Sequence, residues 1–432
     1  MDELRKVAKF ALQALKDAGA DDAKVVAATA ETREFNVDAG EFSLFRTLFD
    51  RSLNLVAFKD HRRGVANLNR FDEDSIRAAA RECLETAAAS EPDEAWALAP
   101  EGEKADFTES GYTPDLDKFF LRSRELMDDI RREYPRILME LLIFTHQGCR
   151  EVYLNTHGAE YSSESGCYDV SLEFTAQDGE KGSSLFGSGF TTLDLDTPFI
   201  DQCTVRRELA DAEASIDTKP VEGKFTGTIV LTPGSAYYLI GTALSLFASD
   251  VALIGGTSIW KDKLGEKVAA DCVTLRNAPL DRRILGGERW TEEGFRSEDD
   301  DIIRNGVLRS FLLGLYGANR TGLPRAKSGD SAFILAPGDK SLEEIIASVP
   351  DGLLVNGFSG GEPNAAGDFS GVAKNSFRIK DGKLGAAVSE TMISGNLGEL
   401  LRNITAISKE TICNGSSVMP WVAASGVVIS GK

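Results

Sequence analysis

Histidine is scarce in this chain: His61, His146 and His157 are all it has in 432 residues. None sits in an H-E-x-x-H pattern and no two lie at helical spacing. A His-based zinc site would need distant residues to converge. Cysteine is sparse too. Cys83, Cys149, Cys167, Cys203, Cys272 and Cys413 are scattered, with no C-x-x-C pair. That spacing points to free thiols in a reducing compartment and excludes a disulfide scaffold. Positive charge is in deficit. Lys and Arg total 48 against 68 Asp and Glu, a formal net charge of -20. Phosphate backbones and anionic lipid repel such a surface, so direct nucleic-acid binding is not expected. The start, "MDELRKVAKFALQALKDAG", lacks the basic opening and unbroken apolar run of a signal peptide. The expectation is a cytoplasmic protein.

Several chemical signatures are missing as well. There is no G-x-x-x-x-G-K-[ST], no G-x-G-x-x-G between a strand and a helix, and no G-x-S-x-G. The run Asp299-Asp300-Asp301, like Asp194 and Asp196, reads as a solvated loop, because hard-metal sites gather ligands around a turn. One apolar run is long. Asp250 is the only charge from Ile229 to Trp260. Thr232-Pro233-Gly234 and Gly255-Gly256 interrupt it, no Lys/Arg cluster flanks it, and Gly, Ser and Thr fill it. A buried helix followed by a strand is expected, not a membrane span.

What remains is an ordinary composition for a folded chain too long for one core. "ELRKVAKFALQALKDAG" places Leu4, Val7, Ala11 and Leu15 at helical period and ends at Gly19. "AKVVAATAETREFNVDAG" alternates like a strand. "RSLNLVAFKDHRRGVANLNR" reads as two short strands joined near His61, and "RILMELLIFTHQG" and "CREVYLNTHG" as two more. "SEPDEAWALAPEGEKADFTESGYTPD" is acidic, proline-bearing and aperiodic. The reading is α+β. A mixed N-terminal half, 1–218, has subsegments 1–91 and 113–218 around an acidic linker, 92–112. A C-terminal half, 222–432, is a mostly antiparallel sheet with a few helices. In it Asn305-Gly306 and Asp381-Gly382 mark turns, and Ser341 with Glu344 forms a capping box. "SLEEIIASVPDGLLV" and "GNLGELLRNITAISKE" read as helices. Cys413, in "KETICNGSSVMPW", is placed in a loop between a helix and the last strand.

Five segments then carry a resemblance: "VEGKFTGTIVLTPGSA", "DRRILGGERWTEEGFRS", "NGVLRSFLLGLYGANRTGL", "NGFSGGEPNAAGDFSG" and "ETMISGNLGELLRNITAIS". Their order and spacing resemble the TldD/PmbA (TldE) family, long called modulators of DNA gyrase. The resemblance implies a cytoplasmic two-subunit peptidase acting on small, unfolded peptides. In that family the TldD-type subunit holds zinc through an H-E-x-x-x-H helix and a late Cys. Here those helix positions fall on Gly241, Thr242 and Leu246, none of which binds zinc or activates water. Cys413 matches the late Cys, without its imidazole partners. The resemblance therefore implies a PmbA/TldE-type subunit with no metal of its own, zinc being expected in a TldD-type partner. The partner is that subunit or a second copy, with an extended peptide as substrate. Gly360, Gly361, Ser394, Gly395 and Asn396 are candidates for a peptide groove open to β-addition. Two alternatives stay open: a stand-alone homodimeric peptidase, with Cys413 paired to His146 or His157, and a regulatory protein tied to gyrase.

Overall fold

The computed structural model describes residues 1–38, 40–329 and 332–432. It is an α+β protein built on two sheets. The first is made of unusually long strands. Asp22–Asp38 pairs antiparallel with Glu41–Lys59 on one side and with Ile137–Asn155 on the other. Ile137–Asn155 pairs in turn with Glu160–Asp178. Arg62–Leu68 extends one edge, while Lys104–Thr108 and Phe186–Thr192 share the far edge of Glu160–Asp178.

The strands are longer than the sequence pattern suggests. The two segments divided at Gly148 form one 19-residue strand. The first of the strands placed near His61 begins at Glu41. Their burial changes along the length, so no single alternation marks them. One end packs under the helices Asp2–Asp17 and Glu73–Ala89 through Leu4, Ala11, Leu15, Ile76 and Ala80. The other packs under Leu116–Glu133 and Val205–Ala214 through Phe119, Leu126, Phe144 and Leu209. Outside these patches Glu41–Lys59 is exposed over residues 43–52. The acidic segment 92–112 is likewise not a free linker, because Lys104–Thr108 is a parallel strand of the sheet.

The second sheet is mixed and mostly antiparallel. Val418–Ser430 lies at its centre, paired with Lys224–Leu231, Ile404–Cys413 and Met392–Asn396. Asp351–Val355 runs parallel to Lys224–Leu231. Three expectations change here. Leu342–Ala347 is a helix with the expected capping box, but 351–355 is a strand. Leu397–Arg402 is a six-residue helix, and Ile404–Cys413 is a strand. Cys413 is thus the last residue of a strand, paired with Val418. The run from Ile229 contains a strand before the helix and a second short helix, Asp250–Ile254, after it. No helix among the described residues is long and apolar enough to cross a membrane.

Candidate functional site

The helix Pro233–Ala248 has a proline at its first turn, where the missing N–H costs nothing. Ala236, Leu239, Ile240, Ala243, Leu244 and Phe247 recur at helical period and are buried in the core of the second sheet. The opposite face carries Tyr238, Gly241, Thr242 and Ser245, and it lines an open groove of about 510 Å³. Two of the three positions implied for a metal-binding motif therefore face the groove, while Leu246 packs against the core. What they present is a hydrogen atom and a hydroxyl. Thr242 Oγ1 donates to Tyr238 O at 2.7 Å, so the hydroxyl is spent on its own helix.

The remaining candidates are not brought to that face. Cys413 Sγ sits against a small apolar cluster of Ala278, Ile284, Ala332, Ile334 and Val418, 3.5 Å from Arg283 O. His146 Nε2 lies 2.7 Å from Gly111 O, and burial lowers its pKa. His157 uses both ring nitrogens, on Ala99 O and Asp22 Oδ1, each at 2.8 Å. A thiol–imidazole pair with Cys413 finds no support in these contacts. Among the described residues no group of three or more His, Cys, Asp or Glu is placed to hold a metal. The residues do not fit zinc.

The groove-candidate glycines divide. Gly357–Gly361 pairs only with Asp368–Lys374, leaving its other edge open among the described strands. Gly360 has φ +141, and a Cβ there would meet Gly371 Cα at 2.8 Å, so the hairpin needs glycine. Phe358 on this strand reaches the groove helix, its ring centroid 6.3 Å from that of Tyr238. Met392–Asn396 differs. Ser394 is paired with Ser370 on one side and Val428 on the other, and Gly395 is paired with Phe369. Asn396 caps the next helix, accepting from Gly398 N at 2.9 Å, and donates to Asp368 Oδ1. Ser394 thus has a strand on both sides and offers no edge for an added strand, while Asn396 is committed to the helix cap.

Beyond Leu312, Ser328 and Gly329 the groove continues into a cleft of about 500 Å³ between the two sheets. It gathers charged residues that no spacing in the chain announced. Lys24, 4% exposed, donates to Glu292 Oε1 at 2.6 Å and to Glu292 O at 2.9 Å. Burial lowers its pKa, and Glu292 opposes the shift. Asp250 is shifted upward by burial, with the Gly314 N–H opposing and Glu293 reinforcing. Trp96 stacks on Tyr316 at 4.0 Å, and Tyr316 Oη donates to Asp93 at 2.8 Å. Glu292 is 69% exposed while the Lys24 side chain is 5% exposed, so the pair is lopsided. Removing the acid leaves a buried ammonium with the Glu292 carbonyl and no counter-charge beside it, whereas removing the base frees a carboxylate already in water. Glu292→Ala is expected to cost roughly 2 kcal/mol and Lys24→Met clearly less, as read by urea denaturation. Equal losses would mean the pairing is not what holds Lys24 in place.

Residues 223–431 match the family model for the PmbA/TldA metallopeptidase C-terminal domain. A metalloprotease PmbA homologue of Haemophilus influenzae is 24% identical over 98% of this chain and 96% of its own. A Bacteroides thetaiotaomicron protein, described as a candidate modulator of DNA gyrase, superposes over all of both chains with TM-score 0.90 and 25% identity. The second half of the chain, residues 223–431, is a PmbA/TldD-family domain. A metalloprotease of Methanothermobacter thermautotrophicus is 28% identical over 69% of this chain and 71% of its own. TldE of Thermococcus kodakarensis shares the fold, with TM-score 0.85, 22% identity, and coverage of 99% and 100%. The chain keeps that fold and places a helix without metal ligands against the groove.

Proposed function

We propose that this chain is the TldE-type, non-catalytic subunit of a cytoplasmic zinc metallopeptidase that cuts small, unfolded peptides. One observation carries the reading. The groove face of Pro233–Ala248 presents Gly241 and Thr242, which supply neither a metal ligand nor a general base. A chain of this family with that face intact but chemically silent is best used to build and gate a groove whose zinc a TldD-type partner contributes. The open edge of Gly357–Gly361 supports the peptide part of the reading, since an extended chain adds to such an edge by backbone hydrogen bonds.

The partner part has support of its own. Arg62–Leu68 covers Glu41–Lys59 only from Leu53 onward, and Leu44, Phe45, Leu48 and Phe49 stand exposed on the remainder. Exposed apolar strands of this length are normally covered. Elemental analysis tests the assignment. The chain purified alone is expected to hold no stoichiometric zinc and to leave an unfolded peptide uncut. Co-expressed with a TldD-type subunit, it is expected to co-purify with about one zinc per pair and to cut it. Stoichiometric zinc in the lone chain would overturn the reading.

A further inference from the structure

A second cavity, of about 370 Å³, lies between the two halves at the N-terminal end of the groove helix. Its walls come from Val205–Ala214 and Phe186–Thr192 on one side and from Gly234, Asn356 and Trp421 on the other. Two residues on these walls hold a buried polar atom with no hydrogen-bond partner, Arg207 Nε and Trp421 Nε1, while Ser188 and Thr204 serve the buried Glu208 carboxyl. Such atoms are rare in folded proteins, and each needs a reason. Trp421 is 6% exposed, so its indole N–H is withheld from water as well. Arg207 lies over the Trp421 ring at 5.2 Å, and its Nε is 3.6 Å from Asp211 Oδ2, an ion pair too long for a hydrogen bond. The helix end adds donors. Thr232 at the N-cap makes no side-chain cap, because its hydroxyl is turned to Asn356 at 3.1 Å.

These groups select a ligand by chemistry. Arg207, Trp421 and the first-turn amides offer hydrogens, so the ligand brings acceptors. Glu208, Asp211 and Glu173 also line the cavity, so a free carboxylate or phosphate is repelled. A neutral group that accepts on one side and donates on the other satisfies both conditions. We infer that this cavity is a subsite for peptide amide groups, with a substrate carbonyl on Arg207 and Trp421 and the adjacent N–H on Glu208. The inference rests on the peptide reading given above and adds a place where the peptide is held, apart from the open strand edge.

The test titrates the full-length chain with a capped, unstructured peptide, following heat by calorimetry and the fluorine resonance of 5-fluorotryptophan at Trp421. The resonance is expected to shift with the binding heat. Glu208→Gln and Trp421→Phe, which keep shape and remove one hydrogen-bonding function each, are expected to weaken binding about tenfold. The same peptide with a free carboxylate at its C-terminus is expected to bind no more tightly. Binding heat with a stationary Trp421 resonance and unchanged affinity in both variants would overturn the subsite and leave the peptide reading standing. No binding heat from the unaltered chain would overturn both.

Discussion

Trp290→Ala is expected to cost about 4 kcal/mol and to loosen the second half of the chain from the first. Trp290 is 8% exposed although it sits on an irregular segment, 286–299. Its ring stacks on Tyr161 at 5.4 Å and 9°, with Phe107 at 6.0 Å and Tyr153 at 6.4 Å. All three partners belong to strands of the first sheet or its edge. The flanking chain is fastened to the same place. Tyr161 Oη donates to Gly294 O at 3.2 Å, Ala99 N donates to Glu293 O at 3.0 Å, and Arg289 pairs with Glu109. Gly294 has φ +97, and a Cβ there would meet Tyr153 Oη at 2.7 Å, so the segment lies flat on the aromatic floor. Truncating the indole removes a large buried surface and its stacking, which together account for the size of the loss. Trp290→Phe is expected to keep more than half of the stability. Urea denaturation gives the loss, and hydrogen exchange across 286–299 shows where it falls. A loss under 1 kcal/mol would mean that the charged contacts around Asp93 and Glu292 hold the halves together instead.

The same residues show what was legible in the sequence. The amphipathic period of Asp2–Asp17, the capping box at Ser341 and the turns at Asn305-Gly306 and Asp381-Gly382 were readable because each depends on neighbours in the chain. Both turns carry positive φ at consecutive residues, the geometry those residue pairs favour. The absence of metal ligands at Gly241, Thr242 and Leu246 was readable from the sequence, whereas the turning of Leu246 toward the core was not. The inter-half sites were not readable. Lys24 meets Glu292 across 268 residues, and Arg207 meets Trp421 across more than two hundred, with no motif spacing to announce either. Ile404–Cys413 is hidden in the sequence for a different reason. Asn396 caps a helix that stops after six residues, and the apolar period on either side of the stop is nearly continuous.

Glu208→Gln is expected to flatten the pH dependence of stability between about pH 4.5 and 7 and to stabilise the protein at pH 8 by about 3 kcal/mol. Burial pushes the Glu208 carboxyl up from 4.5 to about 7. Hydrogen bonds from Ser188 and Thr204 oppose the shift without cancelling it. Below pH 4.5 folded and unfolded chains both carry the proton, and the buried acid costs little. As the pH rises from there the unfolded chain releases its proton and the folded chain keeps it. The native state then binds more protons, so stability falls through this interval and levels off above pH 7. Glutamine cannot ionise and escapes that loss. Asp211, Asp169 and Glu151 are raised by burial in the same direction, so a shallower slope is expected to remain in the variant. Denaturation curves of both proteins from pH 4 to 8 decide the matter, and parallel profiles would mean that Glu208 is already solvated in the folded chain. A carboxylate that destabilises the free protein has the most to gain from a ligand. An N–H brought to Oε2 by a bound peptide would return part of the energy that ionisation in the empty cavity removes.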